Sequence, residues 1–503
     1  MQRRHVLQSL LATAGSAALG VRAATGASVD ATAAAFAAAE PLHPWTLGYV
    51  GLQRDVEPLP MRLQGRLPDG LVGNFYRNGP ARHMLGGQRY HHLFDGDGMV
   101  QQYALTPDGI THRGRFVRTE KFLADSAAGH PVRAAFGTNP PGADPLIAPD
   151  AINVANTSVL NHGGRFMALW EGGSATELDA RTLDTRGPRV WSPDYAGMPF
   201  SAHPKIEPDG SLWNFGVSSS AGMLSIYRVK PGGELATATT IRVPDIAMVH
   251  DFAVTERHLV FLLPPLVFDR ARAEAGETFL DSHVWKPELG LRVLLLPKDR
   301  LDAPRWFTLP AGFVFHIGNA CEERGVIRLD CIRSPSAWAA TTGLKELMRG
   351  QYEAPEHTSV ALLELDLASG AARQQLLPHV AEFPRVDPRI VGRAYRQVFT
   401  AARVDAGDRP GFDAVMRLDV TSGAQQLYRY GPGVMVEEHI FVPRPGGSGH
   451  EGDGWLMGTA LDLARRQMLL SVFDAQHLAD GPLLQARMDR VMPLGLHAIF
   501  VPA

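Results

Sequence analysis

Short apolar runs alternate with glycine, proline and aspartate turn residues along most of the chain. Representative runs lie at 165–170, 211–215, 258–263 and 360–365. Runs of this length, separated by frequent turn signals, are typical of β-strands and not of long helices. The pattern predicts an all-β sandwich, barrel or propeller, beginning near Pro41 and continuing to Ala503.

A seven-bladed β-propeller fits the length best. Roughly 460 residues divided over seven four-stranded blades gives about 65 residues a blade. Similar segments at 177–183 and 364–370 resemble the outer hairpins of such blades. Helix is sparse, and the best candidates lie at 340–348 and 268–275. We therefore expect a single propeller domain over 41–503, with inserted loops and short helices that cap one face.

Four histidines stand in similar settings, each where a strand-like run meets a turn. They are His203, His250, His316 and His497. The second and third lie about one blade apart, and the third and fourth about three blades apart. A closed repetitive fold would bring them to its central axis. Imidazole is the commonest protein ligand of transition metals, so the set indicates a four-histidine iron site.

Three glutamates have the setting that such a site requires. Neutral imidazoles leave the charge of Fe²⁺ uncompensated, and carboxylates that accept from the second ring nitrogen fix the orientation of each ring. Glu171, Glu382 and Glu438 lie among apolar residues in strand-like runs. We expect them to hold the histidine ligands.

The charge argues against a nucleic-acid partner, and the spacing of the two cysteines argues against a disulfide. The net charge is −3 and the pI is about 6.7, without blocks of like charge, so a nucleic-acid partner is not expected. If Arg324 and Gly325 form a two-residue hairpin loop, Cys321 lies opposite position 328 and Cys331 lies about 10 Å further along. That separation exceeds the roughly 7 Å that a disulfide spans. Both cysteines are therefore expected to be free thiols.

The N-terminus has the pattern of an export signal. Arg3 and Arg4 precede an apolar stretch at 6–21, and a small-residue cleavage site follows at 21–23. Paired arginines indicate the twin-arginine route. We expect a signal peptide over 1–23, an alanine-rich linker over 24–40 and an exported, periplasmic protein. No later apolar run has the ~18 residues of a membrane-spanning helix.

Three further motifs, together with the histidine motifs, resemble the carotenoid cleavage oxygenases. They are Asn-Phe-Tyr-Arg-Asn-Gly-Pro at 74–80, Phe-Asp-Gly-Asp-Gly-Met-Val at 94–100 and Asn-Val-Ala-Asn-Thr-Ser at 153–158. The likeness covers nearly all of 41–503. It implies a seven-bladed propeller with one non-haem Fe²⁺ that uses O₂ as co-substrate.

The resemblance also assigns roles to the site residues. It implies that His203, His250, His316 and His497 are the iron ligands. It pairs Glu171 with His250, Glu382 with His316 and Glu438 with His497, and leaves His203 without a carboxylate. The chain departs from the common family pattern at Gln101, Ile317 and Ala498, which bear on packing or substrate fit and not on iron.

Other polar motifs are interpreted as structural. His91, His92, His162 and His439 match no ligand position. The acidic loop that begins at Asp95 has Thr106 at its twelfth position, where a calcium-binding EF-hand loop needs a bidentate acid. Asp251 is expected to cap a turn or brace the site. No nucleophile elbow, Rossmann or phosphate-loop glycine pattern occurs, so no nicotinamide, flavin or ATP is expected.

The predicted activity is oxidative cleavage of a carbon–carbon double bond in a carotenoid or apocarotenoid. A stilbene substrate is the alternative. Stilbene-cleaving family members tend to place a lysine directly before the first glutamate, whereas this chain has Trp170 there, and an apolar residue at that position suits a polyene better. A non-catalytic propeller that binds apolar ligands and a propeller hydrolase with another metal are further alternatives. Phe313, Phe315 and Trp170 are candidates for the wall of a substrate tunnel. We expect a monomer that contacts membranes through apolar residues around 264–268.

Overall fold

The computed structural model describes residues 30–143, 148–405, 407 and 409–503. The expected signal peptide at 1–23 lies outside these residues, as do positions 24–29 of the expected linker. Within the described ranges, no helix is both long enough and apolar enough to cross a membrane.

The described chain is built mainly of short antiparallel strands. In chain order the strands are β1 (Val56–Pro60), β2 (Arg62–Gly65), β3 (Gly73–Arg82), β4 (Met84–Leu85), β5 (Gln88–Arg89), β6 (Asp97–Thr106), β7 (Gly109–Phe116), β8 (Ser158–His162), β9 (Arg165–Leu169), β10 (Thr176–Leu178), β11 (Thr185–Pro188), β12 (Lys205–Ile206), β13 (Leu212–Ser218), β14 (Met223–Val229), β15 (Leu235–Arg242), β16 (Phe252–Val254), β17 (His258–Leu263), β18 (Leu266–Phe268), β19 (His283–Trp285), β20 (Leu291–Pro297), β21 (Arg305–Leu309), β22 (Phe313–Glu323), β23 (Val326–Ser334), β24 (Ser359–Asp366), β25 (Ala372–Leu377), β26 (Ala381–Arg385), β27 (Gln397–Ala402), β28 (Ala414–Asp419), β29 (Gln425–Arg429), β30 (Val434–Pro443), β31 (Gly454–Asp462), β32 (Gln467–Asp474), β33 (Leu484–Met488) and β34 (Ala498–Pro502). The α-helices are α1 (Ala31–Ala39), α2 (Glu120–Ala128), α3 (Arg270–Glu274) and α4 (Leu344–Met348).

These strands form seven blades in the described part of the chain, which confirms the predicted seven-bladed propeller. From the inner strand outwards, blade 1 is β34-β3-β6-β7-β1, blade 2 is β8 to β11, blade 3 is β12 to β15, blade 4 is β16-β17-β20-β21, blade 5 is β22 to β25, blade 6 is β26 to β29 and blade 7 is β30-β31-β32-β33-β2. Two small hairpins are inserted within blades: β4-β5 lies between β3 and β6 of blade 1, and β18-β19 lies between β17 and β20 of blade 4.

Two strands close the ring from opposite ends of the fold. The C-terminal strand β34 pairs with β3 and becomes the inner strand of blade 1. Strand β2, the second strand of the described chain, pairs with β33 and becomes the outer strand of blade 7. The ring therefore closes through two separate strand exchanges.

The apolar runs are continuous because both faces of a blade are covered. In β20, Val293 and Leu295 pack in the cluster that faces blade 5, whereas Leu294 and Leu296 pack in the cluster that faces blade 3. Successive side chains of a strand point to opposite faces. A strand buried on both faces is therefore apolar throughout and does not alternate.

The outer hairpins share one turn structure. The Oδ1 atoms of Asp179 and Asp366 each accept hydrogen bonds from the backbone N–H groups two and three residues later. Both turns join the third and fourth strands of a blade, as their sequence similarity predicts. Asp419 makes the same turn in blade 6, a repeat that sequence reasoning missed.

The expected linker is wrong over its second half, because residues Ala31–Ala39 form α1. The Asp30 side chain accepts from the backbone N–H of Thr32 and caps the helix. Phe36 is buried, with the Arg89 guanidinium 3.5 Å from the centre of its ring. Alanine has the highest intrinsic helix propensity, so its abundance here favours a docked helix over a spacer.

The inserted segments differ from expectation in detail. The predicted helix at 340–348 is a π-helical turn at Ala339–Gly343 followed by α4, and the one at 268–275 is reduced to α3. The residues around 264–268 are not an exposed apolar loop, because Leu266 and Val267 are buried in β18. Cys321 pairs with Arg328 and Cys331 with Ile317, and both cysteines are free as predicted.

Candidate metal centre

Four histidines from the inner strands of four different blades meet at the propeller axis. His203 and His250 each lie two residues before an inner strand, in blades 3 and 4. His316 lies within β22 of blade 5, and His497 directly precedes β34 of blade 1. One ring nitrogen from each lies within 4.8 Å of the others, and all four side chains are buried.

The Nε2 atoms converge on one point. The Nε2 atoms of His203 and His250 are 2.9 Å apart. His316 Nε2 lies 3.2 Å from that of His250 and 3.2 Å from that of His497. The intervals between the histidines match the blade count, since blades 4 and 5 are neighbours and three blade steps lead from His316 to His497.

Burial and crowding oppose protonation of two of these rings, His203 and His497. Burial and the neighbouring imidazoles hold the pKa of His203 well below its ordinary value. Burial lowers the pKa of His497 to about 3, despite its carboxylate neighbour. Although burial also opposes charge on His250, the contact with Glu171 raises the pKa of that ring. Neutral rings present Nε2 lone pairs to one another, and a divalent cation relieves that repulsion.

A carboxylate contacts Nδ1 of three of the four rings. Glu171 contacts His250, Glu382 Oε2 lies 2.5 Å from His316 Nδ1, and Glu438 Oε1 lies 2.8 Å from His497 Nδ1. In the ranges described, no carboxylate contacts His203. These are the partners that the resemblance implies. A proton on each Nδ1 leaves Nε2 free as a donor to a metal.

The donor set fits a single iron ion. Imidazole nitrogen suits iron among other transition metals. Four imidazoles leave coordination positions open for substrates when the preferred geometry is octahedral, and the three carboxylates supply compensating negative charge. The four-histidine cluster therefore fits one Fe²⁺ for each chain.

The Asp251 carboxylate links β16 and β22, the inner strands beside His250 and His316. Its Oδ1 accepts from the Phe252 N–H, and its Oδ2 accepts from the Ile317 N–H at 2.9 Å. Lys205 Nζ lies 2.7 Å from Asp251 Oδ1 and neutralises the carboxylate. Because Ile317 follows His316, this aspartate braces the site between blades 4 and 5, as one of its two expected roles requires.

The remaining polar motifs have structural partners. His92, His162 and His439 bond the backbone carbonyls of Ala340, Gly210 and Glu437. In the acidic loop, Asp95 accepts from the Gly137 N–H and the Thr138 hydroxyl. Asp97 pairs with Arg82 and Lys121. These bonds agree with a structural turn in place of a calcium loop.

Aromatic rings form a continuous path from the surface to the cluster. The ring centres are 5.8 Å apart for Phe279 and Phe136, 6.0 Å for Phe136 and Phe94, and 6.1 Å for Phe94 and Phe315. Phe315 lies 5.2 Å from His250, and Phe279 is 44% exposed. Of the expected tunnel residues, Phe315 lies on this path. Sequence reasoning missed the other three, although Phe94 opens one of the motifs that carry the resemblance.

A bulge follows His316 and is filled by a buried carboxylate. Asp330 Oδ1 accepts from the Asn319 N–H at 3.1 Å and from the Tyr395 hydroxyl at 2.5 Å. A Cβ on Gly318 would lie 2.1 Å from Asp330 Oδ2, so only glycine fits there. Burial raises the pKa of Asp330 to about 6. This aspartate shapes the strand that carries His316.

The raised pKa of Asp330 predicts a pH-dependent stability. The folded state binds the Asp330 proton more tightly than the unfolded state does. Protonation of Asp330 therefore adds on the order of 3 kcal/mol to the free energy of unfolding. This contribution is complete below about pH 4 and is lost as the pH rises through about 6. Asp330→Asn keeps the Oδ1 acceptor and cannot titrate. In urea unfolding, we expect the variant to gain stability relative to the parent between pH 4 and pH 8. Parallel pH curves for the two proteins would contradict this.

Comparison with known proteins agrees with this architecture. The family model described as retinal pigment epithelial membrane protein, RPE65, matches residues 51–502. The chain is 32% identical to the apocarotenoid-15,15'-oxygenase of Synechocystis, over 90% of this chain and 95% of that protein. It is 29% identical to the lignostilbene-alpha,beta-dioxygenase isozyme III of Sphingomonas paucimobilis, over 92% of this chain and 98% of that protein. It is also 29% identical to the isoeugenol monooxygenase of Pseudomonas nitroreducens, over 88% of this chain and 94% of that protein.

Solved structures extend the comparison to the fold. The Synechocystis apocarotenoid oxygenase with a threonine-to-alanine substitution superposes with a TM-score of 0.84 at 30% identity, covering 92% of this chain and 98% of that one. The cobalt-substituted form of that oxygenase superposes with the same TM-score of 0.84 and at 29% identity, covering 92% of this chain and 98% of that one. The chain therefore belongs to the retinal pigment epithelial membrane protein (RPE65) family, the carotenoid cleavage oxygenases that its motifs resemble.

Proposed function

We propose that this protein is an iron-dependent dioxygenase that cleaves a carbon–carbon double bond of a carotenoid or apocarotenoid into two carbonyl products. The observation that carries the proposal is an aromatic path that leads from the exposed Phe279 to a buried four-histidine cluster. An elongated apolar polyene matches such a path, because aromatic walls favour flat, conjugated ligands and exclude water.

We propose that His203, His250, His316 and His497 bind the iron through Nε2. Glu171, Glu382 and Glu438 hold the Nδ1 protons of three of these rings and fix their orientation. The fourth ring, His203, packs against its neighbours, with its centre 4.4 Å from that of His250 and 4.6 Å from that of His497.

Bound iron supplies the activation of dioxygen beside the double bond. Both oxygen atoms enter the two carbonyl products, so the balance needs no external reductant. The aromatic wall from Phe94 to Phe315 places one double bond near the cluster and excludes water from it. The substrate is held by apolar contact, and the chain needs no acid or base of its own for the overall balance.

The substrate proposal is tested with an apocarotenal, a hydroxystilbene and isoeugenol, each incubated with the Fe²⁺ enzyme and ¹⁸O₂. We expect the apocarotenal to give two carbonyl products, each labelled when analysed before exchange with water. Label in only one product would indicate a monooxygenase. Cleavage of the hydroxystilbene alone would favour the alternative substrate class.

Trp170 offers a matched test of substrate choice. Its indole packs over Gly172 and Gly173, beside Glu171. Trp170→Lys introduces the residue found in stilbene-cleaving family members, and Trp170→Phe is the control that keeps an apolar ring. We expect the lysine variant to lose apocarotenal turnover relative to the phenylalanine variant. Equal apocarotenal turnover of the two variants would show that Trp170 does not determine the preference for a polyene.

The carboxylate role of Glu382 predicts a loss of metal affinity. Glu382→Gln keeps the shape of the side chain but removes the charge beside His316 Nδ1, and we expect a loss of metal affinity or activity of about 10–100-fold. Anaerobic titration with Co²⁺ or Fe²⁺ measures the affinity. Glu364→Gln, on the outer part of blade 5, is the control. An unchanged affinity in Glu382→Gln would contradict the assigned role.

We further propose a monomer that collects its substrate at a membrane surface. Two large apolar side chains of the inserted segments are exposed, Leu123 by 53% and Phe279 by 44%. Phe279 also begins the aromatic path. Phe279→Asp combined with Leu123→Asp is expected to weaken liposome sedimentation, whereas Trp306→Asp on β21 is the control. Unchanged sedimentation would contradict membrane contact through these two side chains. Light scattering measures the mass of the protein in solution and tests the monomer.

Export remains a proposal supported by the N-terminal pattern. We propose that residues 1–23 direct the chain to the periplasm by the twin-arginine route. Replacement of Arg3 and Arg4 by lysine is expected to retain the protein in the cytoplasm. Periplasmic recovery of the lysine variant at the level of the parent would exclude this route.

A further inference from the structure

Glu438 differs from the other two carboxylates of the site in having a cationic partner. Its Oε1 accepts from His497 Nδ1 at 2.8 Å and from Arg385 Nε at 2.7 Å. Its Oε2 accepts from the Ala498 N–H at 2.6 Å. The carboxylate is buried, and its side chain is 1% exposed. One glutamate oxygen therefore joins a histidine of the cluster to an arginine.

The other two glutamates lack such a partner in the described ranges. Glu382 contacts His316 and accepts from the Phe383 N–H, and Glu171 contacts His250. No arginine or lysine of the described residues pairs with either carboxylate. Among the three carboxylates, a cationic partner is therefore found only for Glu438, which contacts His497, within the described residues.

The charged groups around the cluster balance the charge of one divalent cation. Three carboxylates carry three negative charges, and Arg385 carries one positive charge. Four neutral imidazoles add none. The surroundings therefore carry a net charge of −2, which equals and opposes the charge of one divalent cation. The nearby pair of Lys205 and Asp251 is neutral by itself.

We infer that Arg385 is a positioning and charge-balancing residue that acts through Glu438 to set the Fe³⁺/Fe²⁺ equilibrium of the site. The inference rests on the proposed iron function. With Arg385 present, the ferrous centre is neutral and the ferric centre carries a charge of +1. Without Arg385, the ferrous centre carries −1 and the ferric centre is neutral. Charge interacts strongly in a buried site, so the loss of one positive charge favours the ferric form.

The effect has a defined sign and a minimum size. Arg385→Gln is expected to shift the equilibrium toward Fe³⁺ by at least tenfold, which lowers the reduction potential by about 59 mV for a one-electron couple. Arg385→Lys retains the charge while losing the planar donor group, and we expect a potential close to that of the parent. Arg444→Gln is the matched control, since Arg444 is 37% exposed, near the 34% of Arg385, and also pairs with a carboxylate.

The experiment measures reduction potential by anaerobic spectroelectrochemistry at pH 8 on iron-loaded parent and variants, with iron content and thermal midpoint recorded beside it. A lowered potential in Arg385→Gln, with parent-like potentials in Arg385→Lys and Arg444→Gln, supports the inference. An unchanged potential in iron-loaded Arg385→Gln overturns it. Equal shifts in the Gln and Lys variants also overturn it, because they assign Arg385 a purely geometric role.

Failure of the proposed function is visible separately. Parent protein that binds no iron, or that binds iron without cleaving any of the test alkenes, contradicts the proposed function whatever Arg385 does. If Arg385→Gln folds poorly, Glu438→Gln provides the second variant. It removes one negative charge at the same contact, so its potential is expected to rise. A fall in the potential of Glu438→Gln overturns the inference.

Discussion

Replacing His497 by alanine is expected to abolish iron binding and alkene cleavage while leaving most of the propeller folded. The change removes one of four convergent Nε2 donors and leaves Glu438 without its imidazole partner. Loss of an outer carboxylate alone lowers metal affinity by about 10–100-fold, so loss of a direct ligand is expected to cost more than about 100-fold. Iron content after gel filtration and turnover of an apocarotenal are the two measurements.

Two histidines outside the cluster serve as controls for His497→Ala. His477 has an exposed side chain and lies near Asp474, so His477→Ala should keep the iron content of the parent. His439 is buried and bonds the Tyr430 hydroxyl, so His439→Ala tests whether any buried histidine loss has the same effect. A His497→Ala protein with full iron content would exclude this ring as a ligand.

The second large effect concerns stability, at the buried ion pair of Arg77 and Glu437. Arg77 Nη1 lies 3.2 Å from Glu437 Oε1, and the two side chains are 0% and 3% exposed. The same carboxylate accepts from the Gly495 N–H and the Thr459 hydroxyl. Glu437→Ala leaves the Arg77 cation buried and unpaired, and removal of one partner from a buried pair costs about 3–5 kcal/mol. We expect a loss of that size in urea unfolding.

The ion pair also fixes the backbone ahead of His497, which gives a second measurement. Gly495 is two residues before this histidine, so Glu437→Ala should lower iron affinity as well as stability. Glu323→Ala is the control, because Glu323 has a half-exposed side chain and exposed sites usually change stability by less than about 0.5 kcal/mol. Comparable stability of Glu437→Ala and Glu323→Ala would show that the buried pair contributes little.

The sequence predicted the blades and the histidines because both recur at intervals along the chain. A blade is a local unit, so its length can be read from the sequence, and the four histidines lie in similar short motifs at or just before an inner strand. Arg385 has no comparable signal. It lies three residues after Glu382, but a bulge at Phe383, whose φ is 57°, turns it toward Glu438 in blade 7.

Features that depend on packing between distant segments were the ones missed. The helix at Ala31–Ala39 requires burial of Phe36 under Arg89, and the alanine-rich composition alone does not reveal that contact. The aromatic path needs Phe136 and Phe279 from two separate insertions to meet. The apolar residues around 264–268 were predicted to contact membranes from an exposed loop. Pairing of β18 with β19 buries them instead.

Ring closure by β34 has a consequence for how the protein matures. His497 directly precedes the strand that completes blade 1, so a chain that stops before His497 holds three of the four rings at most. Glu438 likewise lacks its histidine partner until His497 has been synthesised. Loading with a metal ion is therefore expected only after synthesis of the propeller is complete, and prematurely terminated chains should emerge both open and metal-free.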